Sequence, residues 1–389
     1  MQYRKFGTLD WKVSALGFGC MRLPTLGKNN GATQGAIDEA EATRMLRWAI
    51  DQGLNYLDTA YPYHGGQSEV LVGKALQDGY RDKVRLATKL PTWAVNEYAD
   101  FDRLLNEQLG KLQTEHVDLY LLHALRRSSW EKVRDLDVLQ WAEGAMADGR
   151  IGHLGFSFHD TYDVFQEIVD AYDGWDFCQI QYNLIDLENQ AGTKGLRYAA
   201  DKGLAVVVME PLLGGRLARP PKAVERLWAD AAIQRTPVEW ALQWLWHQPE
   251  VATVLSGMST MEQVRENVAY AARSQVGGLT DEELARVAEV RDRYLELSPI
   301  PCTQCRYCMP CPNGVDIPGN FAQYNTAALY DELEGARGWH EKADAATLAS
   351  VCIQCRVCEE HCPQEIPIAD WMPVVDEVLG QGQELVRHL

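Results

Sequence analysis

No stretch of this 389-residue chain strings together the apolar run of about 18 residues that a helix needs to cross a bilayer. We therefore expect no membrane span. The opening, MQYRKFGTLDWKV, has no apolar h-region of the kind that marks a secretory leader, so a cytoplasmic protein is expected. Positive charge is scarce: 37 Lys and Arg stand against 55 Asp and Glu, a formal net charge of -18. That balance argues against nucleic acid and anionic lipid as partners, because both are gripped by basic patches. No GxGxxG follows the first strand-like segment, where GFGCMR is only a partial match, and we find no flavin fingerprint. Cysteine is almost missing from the first 300 residues, which hold only Cys20 and Cys178. A disulfide framework is not expected in a reducing compartment.

What is present, from about residue 15 to 275, is an alternation of short β-branched apolar segments with amphipathic helical ones. The segments ALGFGC (15–20), NYLDT (55–59), VRLATK (84–89), VDLYLLH (117–123), IGHLGFS (151–157), FCQIQY (177–182), LAVVVME (204–210) and VATVLSG (251–257) read as strands. Between them, EATRMLRWAIDQG (41–53) puts Met45, Trp48, Ala49 and Gln52 near one helical face and stops on a glycine. Eight strands alternating with helices make a parallel sheet, and eight is the number that closes a (β/α)8 TIM barrel. An open doubly wound sheet is the alternative. Ahead of the first strand, QYRKFGTLDWKVS reads as a hairpin turning at Gly7 to Asp10, a plug under the barrel. We expect a barrel over 1–280, a connecting helix over 281–298 and a small all-α domain over 299–389.

Barrel active sites sit where strands end. Asp58 ends the second strand, with Tyr63 five residues on; Lys89 ends the third and His123 the fourth. Any one of these alone reads as structural, but three consecutive strands delivering them to one rim point to proton transfer. A tyrosine of pKa near 10 is a sluggish acid; a lysine beside it is expected to lower that value, with an aspartate holding the lysine charged. Such a set suits protonation of an alkoxide formed as hydride arrives from a cofactor.

Through LGFGCMRLP, LDTAYPYHGGQSE, LATK, YLLH, GFSFHD, CQIQYN, MEPLLGGRL and SGMSTMEQVREN, residues 1 to 275 resemble the aldo-keto reductases. The resemblance implies a catalytic set of Asp58, Tyr63, Lys89 and His123 and a nicotinamide dinucleotide across the strand ends. It implies that Ser157 and Gln179 hold the carboxamide and that Gly19, Cys20 and Met21 line the nicotinamide. It further implies that Pro211, Leu212, Gly214 and Gly215 follow the pyrophosphate, with Gly257, Gln263, Glu266 and Asn267 around the adenosine. Cys178 reads as core, Cys20 as packing, and His64 and His159 as pocket lining. Three positions depart from the family: Phe158 where an asparagine is common, Met209 where a ring-stacking aromatic is common, and Gly257, Met258 and Gln263 where basic residues grip the 2'-phosphate of NADPH. Arg265 reads as a solvated helix residue. A phosphate without a charge-assisted partner loses about 1.5–3 kcal/mol, so NADPH and NADH both stay open.

The other eight cysteines fall in CTQCRYCMPCP (302–312) and CIQCRVCEEHCP (352–363). Three at two-residue spacing and a fourth before proline is the ligand run of bacterial-type [4Fe-4S] ferredoxins, in which the fourth cysteine serves the other cluster. A zinc ribbon is the rival, but two CxxC pairs would suffice for that. We expect two [4Fe-4S] clusters, one on Cys302, Cys305, Cys308 and Cys362, the other on Cys352, Cys355, Cys358 and Cys311. The first run has two residues, Met309 and Pro310, where three are usual, and donation by Cys311 to the distant cluster accommodates that. The stretch between the runs has helical periodicity, which resembles the helical ferredoxin domains of redox enzymes, and the whole resembles the iron-sulfur branch of the aldo-keto reductases. The expected function is hydride exchange between NAD(P)H and a carbonyl or alcohol, with one-electron exchange to a redox partner. The alternatives are an electron-transfer or assembly protein whose barrel no longer acts as a reductase, and structural or oxygen-sensing clusters. Substrate choice falls to the loops 25–40 and 126–134.

Overall fold

The computed structural model describes residues 1–27, 35–302, 307–362 and 364–387. The expected ligand Cys305, and 28–34 of the candidate substrate loop, lie outside the described residues. The chain divides into two compact units, Met1–Leu217 with Val238–Thr280, and Ala218–Pro237 with Asp281–Leu389.

The first unit opens with β1 (Tyr3–Lys5) and β2 (Lys12–Ser14), an antiparallel hairpin. Eight parallel strands follow: β3 (Leu16–Gly19), β4 (Tyr56–Asp58), β5 (Arg85–Leu90), β6 (Val117–Leu125), β7 (Ile151–Phe158), β8 (Phe177–Gln181), β9 (Ala205–Met209) and β10 (Val251–Ser256). Each falls within two residues of its expected ends. Pairing of β10 with β3, Val254 opposite Leu16, closes the ring and rules out the open sheet. Around it run α1 (Glu39–Asp51), α2 (Gln67–Ala75), α3 (Ala99–Leu112), α4 (Arg127–Asp135), α5 (Val138–Ala147), α6 (Tyr162–Asp170) and α7 (Gly192–Asp201). After α8 (Lys222–Ala229), α9 (Pro237–His247) and α10 (Met261–Ala272) complete the ring. Helix α1 starts earlier than expected because the Asp38 side chain caps it, accepting the Glu41 N–H at 3.1 Å. At the other end Gln52 is the C-cap and exposed, not on the buried face with Met45 and Ala49.

Strand period decides the two cores. On β6, Leu119 and Leu121 point into the barrel with Tyr56, Ala87, Phe177 and Val207, while Tyr120 and Leu122 face the helices. The hairpin feeds Phe6 and Val13 into the inner cluster; the Phe6 ring lies 5.6 Å from Phe177 and 6.1 Å from Tyr56. Gly7 makes the plug possible. Its φ is +56°, and a Cβ there would stand 2.7 Å from the Ala205 nitrogen and the Gly203 oxygen. With this end stopped, chemistry is left to the opposite rim.

The second unit is helical: no strand occurs among its described residues. It contains α8, α11 (Asp281–Leu297), α12 (Ile317–Tyr330), α13 (Leu333–His340) and α14 (Ile368–Leu379). The linear reading left α8 with the barrel. Its partner is far away in sequence: α8 packs on α11, and just beyond it Arg235 pairs with Glu283. Phe321, Tyr324, Trp371, Met372 and Val375 form the centre of this unit, and Cys358 belongs to the same cluster.

Candidate active site and cysteine segments

Strands β4, β5 and β6 lie side by side, and Asp58, Lys89 and His123 come from their C-terminal ends. Lys89 is completely buried. Its Nζ donates to Asp58 Oδ1 at 2.7 Å and to the Thr59 carbonyl at 2.8 Å, with the Tyr63 hydroxyl at 3.5 Å. Three acceptors for three hydrogens is the pattern of an ammonium. Tyr63 is placed by a tight turn, Tyr63–Gly66, in which His64, Gly65 and Gly66 take positive φ. The His123 ring stands edge-on to it, centroids 6.2 Å apart. A register irregularity between Leu122 and Leu125, with Ala124 at φ +53°, turns the end of β6. Ser157 Oγ on β7 holds that bulge by accepting the Ala124 N–H at 2.7 Å. Behind Lys89, buried Glu69 accepts from Thr88 Oγ1 at 2.6 Å and from Gln108 Nε2 at 2.7 Å, fastening β5.

Burial works to lower the Lys89 pKa, but the charges of Asp58 and Tyr63 outweigh it and the shift is upward. At Tyr63 the balance runs the other way from our expectation. Burial raises the phenol, and Lys89 offsets it only in part, so the pKa lies above its ordinary value. Burial, then the Lys89 charge, holds His123 well below 6.5, and the imidazole is neutral at pH 7. Asp58 Oδ2, His123 Nδ1 and Gln179 Oε1 are buried with no hydrogen-bond partner. Buried polar atoms without partners are rare, and three on one rim suit a polar ligand.

The remaining expected cofactor positions divide. Gln179 Nε2 donates to Met209 Sδ at 3.6 Å, leaving its orphaned oxygen free for a carboxamide. Pro211 and Leu212 lead into exposed Gly214 and Gly215, at φ +67° and +98°, and a Cβ at Gly215 would meet nothing within 4 Å. That open backbone suits a bulky anion. Met21 is 43% exposed beside Gly19, whereas Cys20 is fully buried and burial raises its thiol pKa, so it is inert packing. Cys178 is likewise core. His64 is buried in the turn, and His159 Nδ1 lies 3.2 Å from Gln190 Oε1. Phe158 packs against Phe165, 5.1 Å between centroids, and is fully buried. Near β10, Gln263 accepts the Ser259 N–H at 2.8 Å and Thr260 Oγ1 accepts the Gln263 N–H at 3.2 Å, a cap on α10. Asn267 is buried and donates to Ser256 Oγ at 3.0 Å, tying α10 to the barrel; Glu266 is exposed.

In the second unit, Cys311 of the first run lines one small cavity with Cys352, Cys355 and Cys358 of the second. The loop there is tightly wound, with Gln354 at φ +57° and Arg356 at +61°, and the Gln354 N–H points to Cys352 Sγ at 3.4 Å. Burial, then the neighbouring Cys352, pushes the Cys358 thiol up to about 11. Cys302, Cys308 and Cys362 pack against the same core. Among the described residues, no three Cys, His, Asp or Glu side chains are grouped as they would be around a single metal ion.

Residues 15–292 match the family model described as the aldo/keto reductase family. The chain belongs to that family. Residues 301–366 match a 4Fe-4S dicluster domain. Among relatives of this aldo/keto reductase, an uncharacterized oxidoreductase, YqkF, of Bacillus subtilis (strain 168) is 29% identical, the match spanning 73% of this chain and 94% of the relative. The solved aldo-keto reductase AKR11C1 from Bacillus halodurans, in its holo form, superimposes with a TM-score of 0.62 at 29% identity, over 75% of this chain and 96% of its own. An aldo-keto reductase from Klebsiella pneumoniae in complex with NADPH gives 0.60 at 26% identity, over 75% and 95%.

The sequence reading missed Trp93. This tryptophan is 52% exposed, an unusual state for so large an apolar ring, and lies 5.1 Å from the His123 ring. Its position four residues after Lys89, in a loop leaving a barrel strand, was the available signal.

Proposed function

We propose that this protein interconverts a carbonyl and an alcohol with a nicotinamide cofactor, Tyr63 carrying the proton, and that its tail holds two [4Fe-4S] clusters. The observation that carries the reading is the buried Lys89 ammonium, with its three hydrogens directed at Asp58, Thr59 and Tyr63. NADPH or NADH, when bound, would supply the hydride. Ser157 and the orphaned Gln179 Oε1 would hold the carboxamide, and the open loop at Gly214 and Gly215 the phosphates. In reduction, the Tyr63 hydroxyl gives its proton to the substrate oxygen as charge develops there, and Lys89 stabilises the phenolate left behind. In oxidation, the phenolate takes the proton back. His123, neutral through burial, can hydrogen-bond the carbonyl without adding a second cation. Trp93 gives an apolar wall over the same spot.

For the tail, the cavity lined by Cys311, Cys352, Cys355 and Cys358 supports a cluster shared between the two runs. The remaining set would be Cys302, Cys305, Cys308 and Cys362. Such clusters would supply one-electron exchange with a redox partner in a reducing, cytoplasmic setting.

One anaerobic cuvette tests both halves. Wild-type protein should oxidise NADPH or NADH only when a carbonyl is added, Tyr63→Phe should not, and the broad iron-sulfur absorbance should be present. Turnover that survives Tyr63→Phe undamaged would end the proton-donor assignment. Bleaching of the iron-sulfur absorbance by the reduced nicotinamide alone would add that the clusters exchange electrons with the barrel.

A further inference from the structure

Directly behind Cys20 and Met21, Arg22 closes the turn that follows β3. Its stem lies along Gly257 at the end of β10, where a Cβ would stand 3.2 Å from Arg22 Cβ and 3.4 Å from its Cγ and Cδ. From there the guanidinium crosses to the loop after β9, with Nη2 3.7 Å from where a Cβ would stand on Gly214. The backbone is pinned as well, since Ser259 Oγ donates to the Arg22 carbonyl at 2.8 Å. One cation is thus held between the two loops that leave β9 and β10, and Gly257 makes room for its stem. Glu210, beside this loop, is acted on by Arg22 and Arg216 as nearby cations and by Asp186 as a nearby anion, and Arg22 forms no direct ion pair among the described residues.

We infer that Arg22 is the positioning cation for the pyrophosphate of a nicotinamide dinucleotide, and that the protein therefore accepts NADH and NADPH with little preference. The inference rests on the nicotinamide reading above and adds to it the residue and the cofactor selectivity. The pyrophosphate is common to both cofactors, so a charge placed on it is blind to the 2'-phosphate. Among the described residues at the β10 end, nothing replaces the missing selectivity: Met258 is fully buried, the Gln263 side-chain oxygen is committed to Ser259, and Arg265 lies over Trp48 with its guanidinium carbon 5.9 Å from the ring centre.

The test uses the full-length, anaerobically purified protein, titrated with NADPH, NADH and ADP-ribose while tryptophan fluorescence is followed. Wild type should bind NADH and NADPH with affinities within about tenfold, less than one charge-assisted phosphate contact would separate them. Arg22→Gln should weaken all three ligands by a common factor of about tenfold or more, and Arg22→Lys by less. A matched melting temperature without ligand controls for folding, and Gly257→Ala, which crowds the Arg22 stem, gives a second route to the same loss. Loss confined to NADPH, or no loss in either variant, overturns the assignment while leaving the nicotinamide reading intact. If wild type binds none of the three, both fall.

Discussion

Asn325 grips Ile300 with both ends of its side-chain amide: Nδ2 donates to the Ile300 carbonyl at 2.6 Å, and Oδ1 accepts the Ile300 N–H at 3.1 Å. Asn320 treats the second cysteine run similarly, donating to the Thr347 carbonyl at 2.9 Å and accepting the Ala349 N–H at 3.1 Å. Five residues on a helix is a turn of about 140° beyond one full circle, so α12 holds the approaches to Cys302 and Cys352 on different sides. Asn325→Ala would leave the buried Ile300 N–H unpaired, at about 1–3 kcal/mol, while the Ile300 carbonyl keeps the Cys302 N–H at 2.8 Å. We expect it to speed iron loss from the cluster of the first run in a chelator assay, and Asn320→Ala from that of the second. Equal, wild-type rates in both variants would dismiss the role.

The elevated Tyr63 pKa sets a pH signature. Above its folded pKa the phenol has no proton to give, and burial holds that pKa above its ordinary value. Carbonyl reduction should therefore stay level through the neutral range and fall only in strong alkali, while alcohol oxidation, which needs the phenolate, should rise with pH. Tyr63→Phe should cost about 10²–10⁴-fold in turnover with dinucleotide affinity retained. A reduction rate that drops between pH 7 and 9 would contradict this ordering.

Removing the partner of a buried ammonium is costly. Asp58→Ala should lower the stability of the barrel unit by about 3–5 kcal/mol, read as a shift in urea midpoint. Replacing both groups, Asp58→Ala with Lys89→Met, should cost less than the two single changes together, because no charge is then stranded. Lys89 is raised in the folded state, so the pair's contribution is complete below the unfolded lysine pKa and disappears as pH rises through the folded value. The gap between wild type and Asp58→Ala should accordingly be constant through neutral pH, close in alkali as Lys89 loses its proton, and shrink in acid as Asp58, whose pKa burial raises, gains one. A gap that widens in alkali would refute the ion-pair assignment.

Cys311 separates two ligand schemes. If it serves the second cluster, Cys311→Ser and Cys352→Ser should perturb the same electron paramagnetic signal of the reduced protein, and Cys302→Ser the other. Should Cys311→Ser instead match Cys302→Ser, each run keeps its own four ligands.

All eight barrel strands were legible because a strand buried on both sides must be a short β-branched run, whatever surrounds it. The rim placement of Asp58, Lys89 and His123 was legible because a barrel's rim is by construction the end of its strands, so they needed only their positions in LDT, LATK and YLLH. Local spacing misled at Gln52, which caps the exposed end of α1, and at Ala218–Pro237, whose partner α11 begins more than forty residues on.

Composition and short-range pattern were enough for the barrel, for the place of Asp58, Lys89 and His123 on its rim and for the two cysteine runs, since each depends on residues a few positions apart. The direction of the Tyr63 shift was not, because burial and the Lys89 charge oppose each other and their balance depends on how deeply the fold encloses the phenol. Spacing had already put Cys311 with Cys352, Cys355 and Cys358, which line one cavity, but it could not reveal that Arg22 lies between Gly214 and Gly257. Those neighbours come from separate parts of the chain, and only the packed backbone brings them within reach.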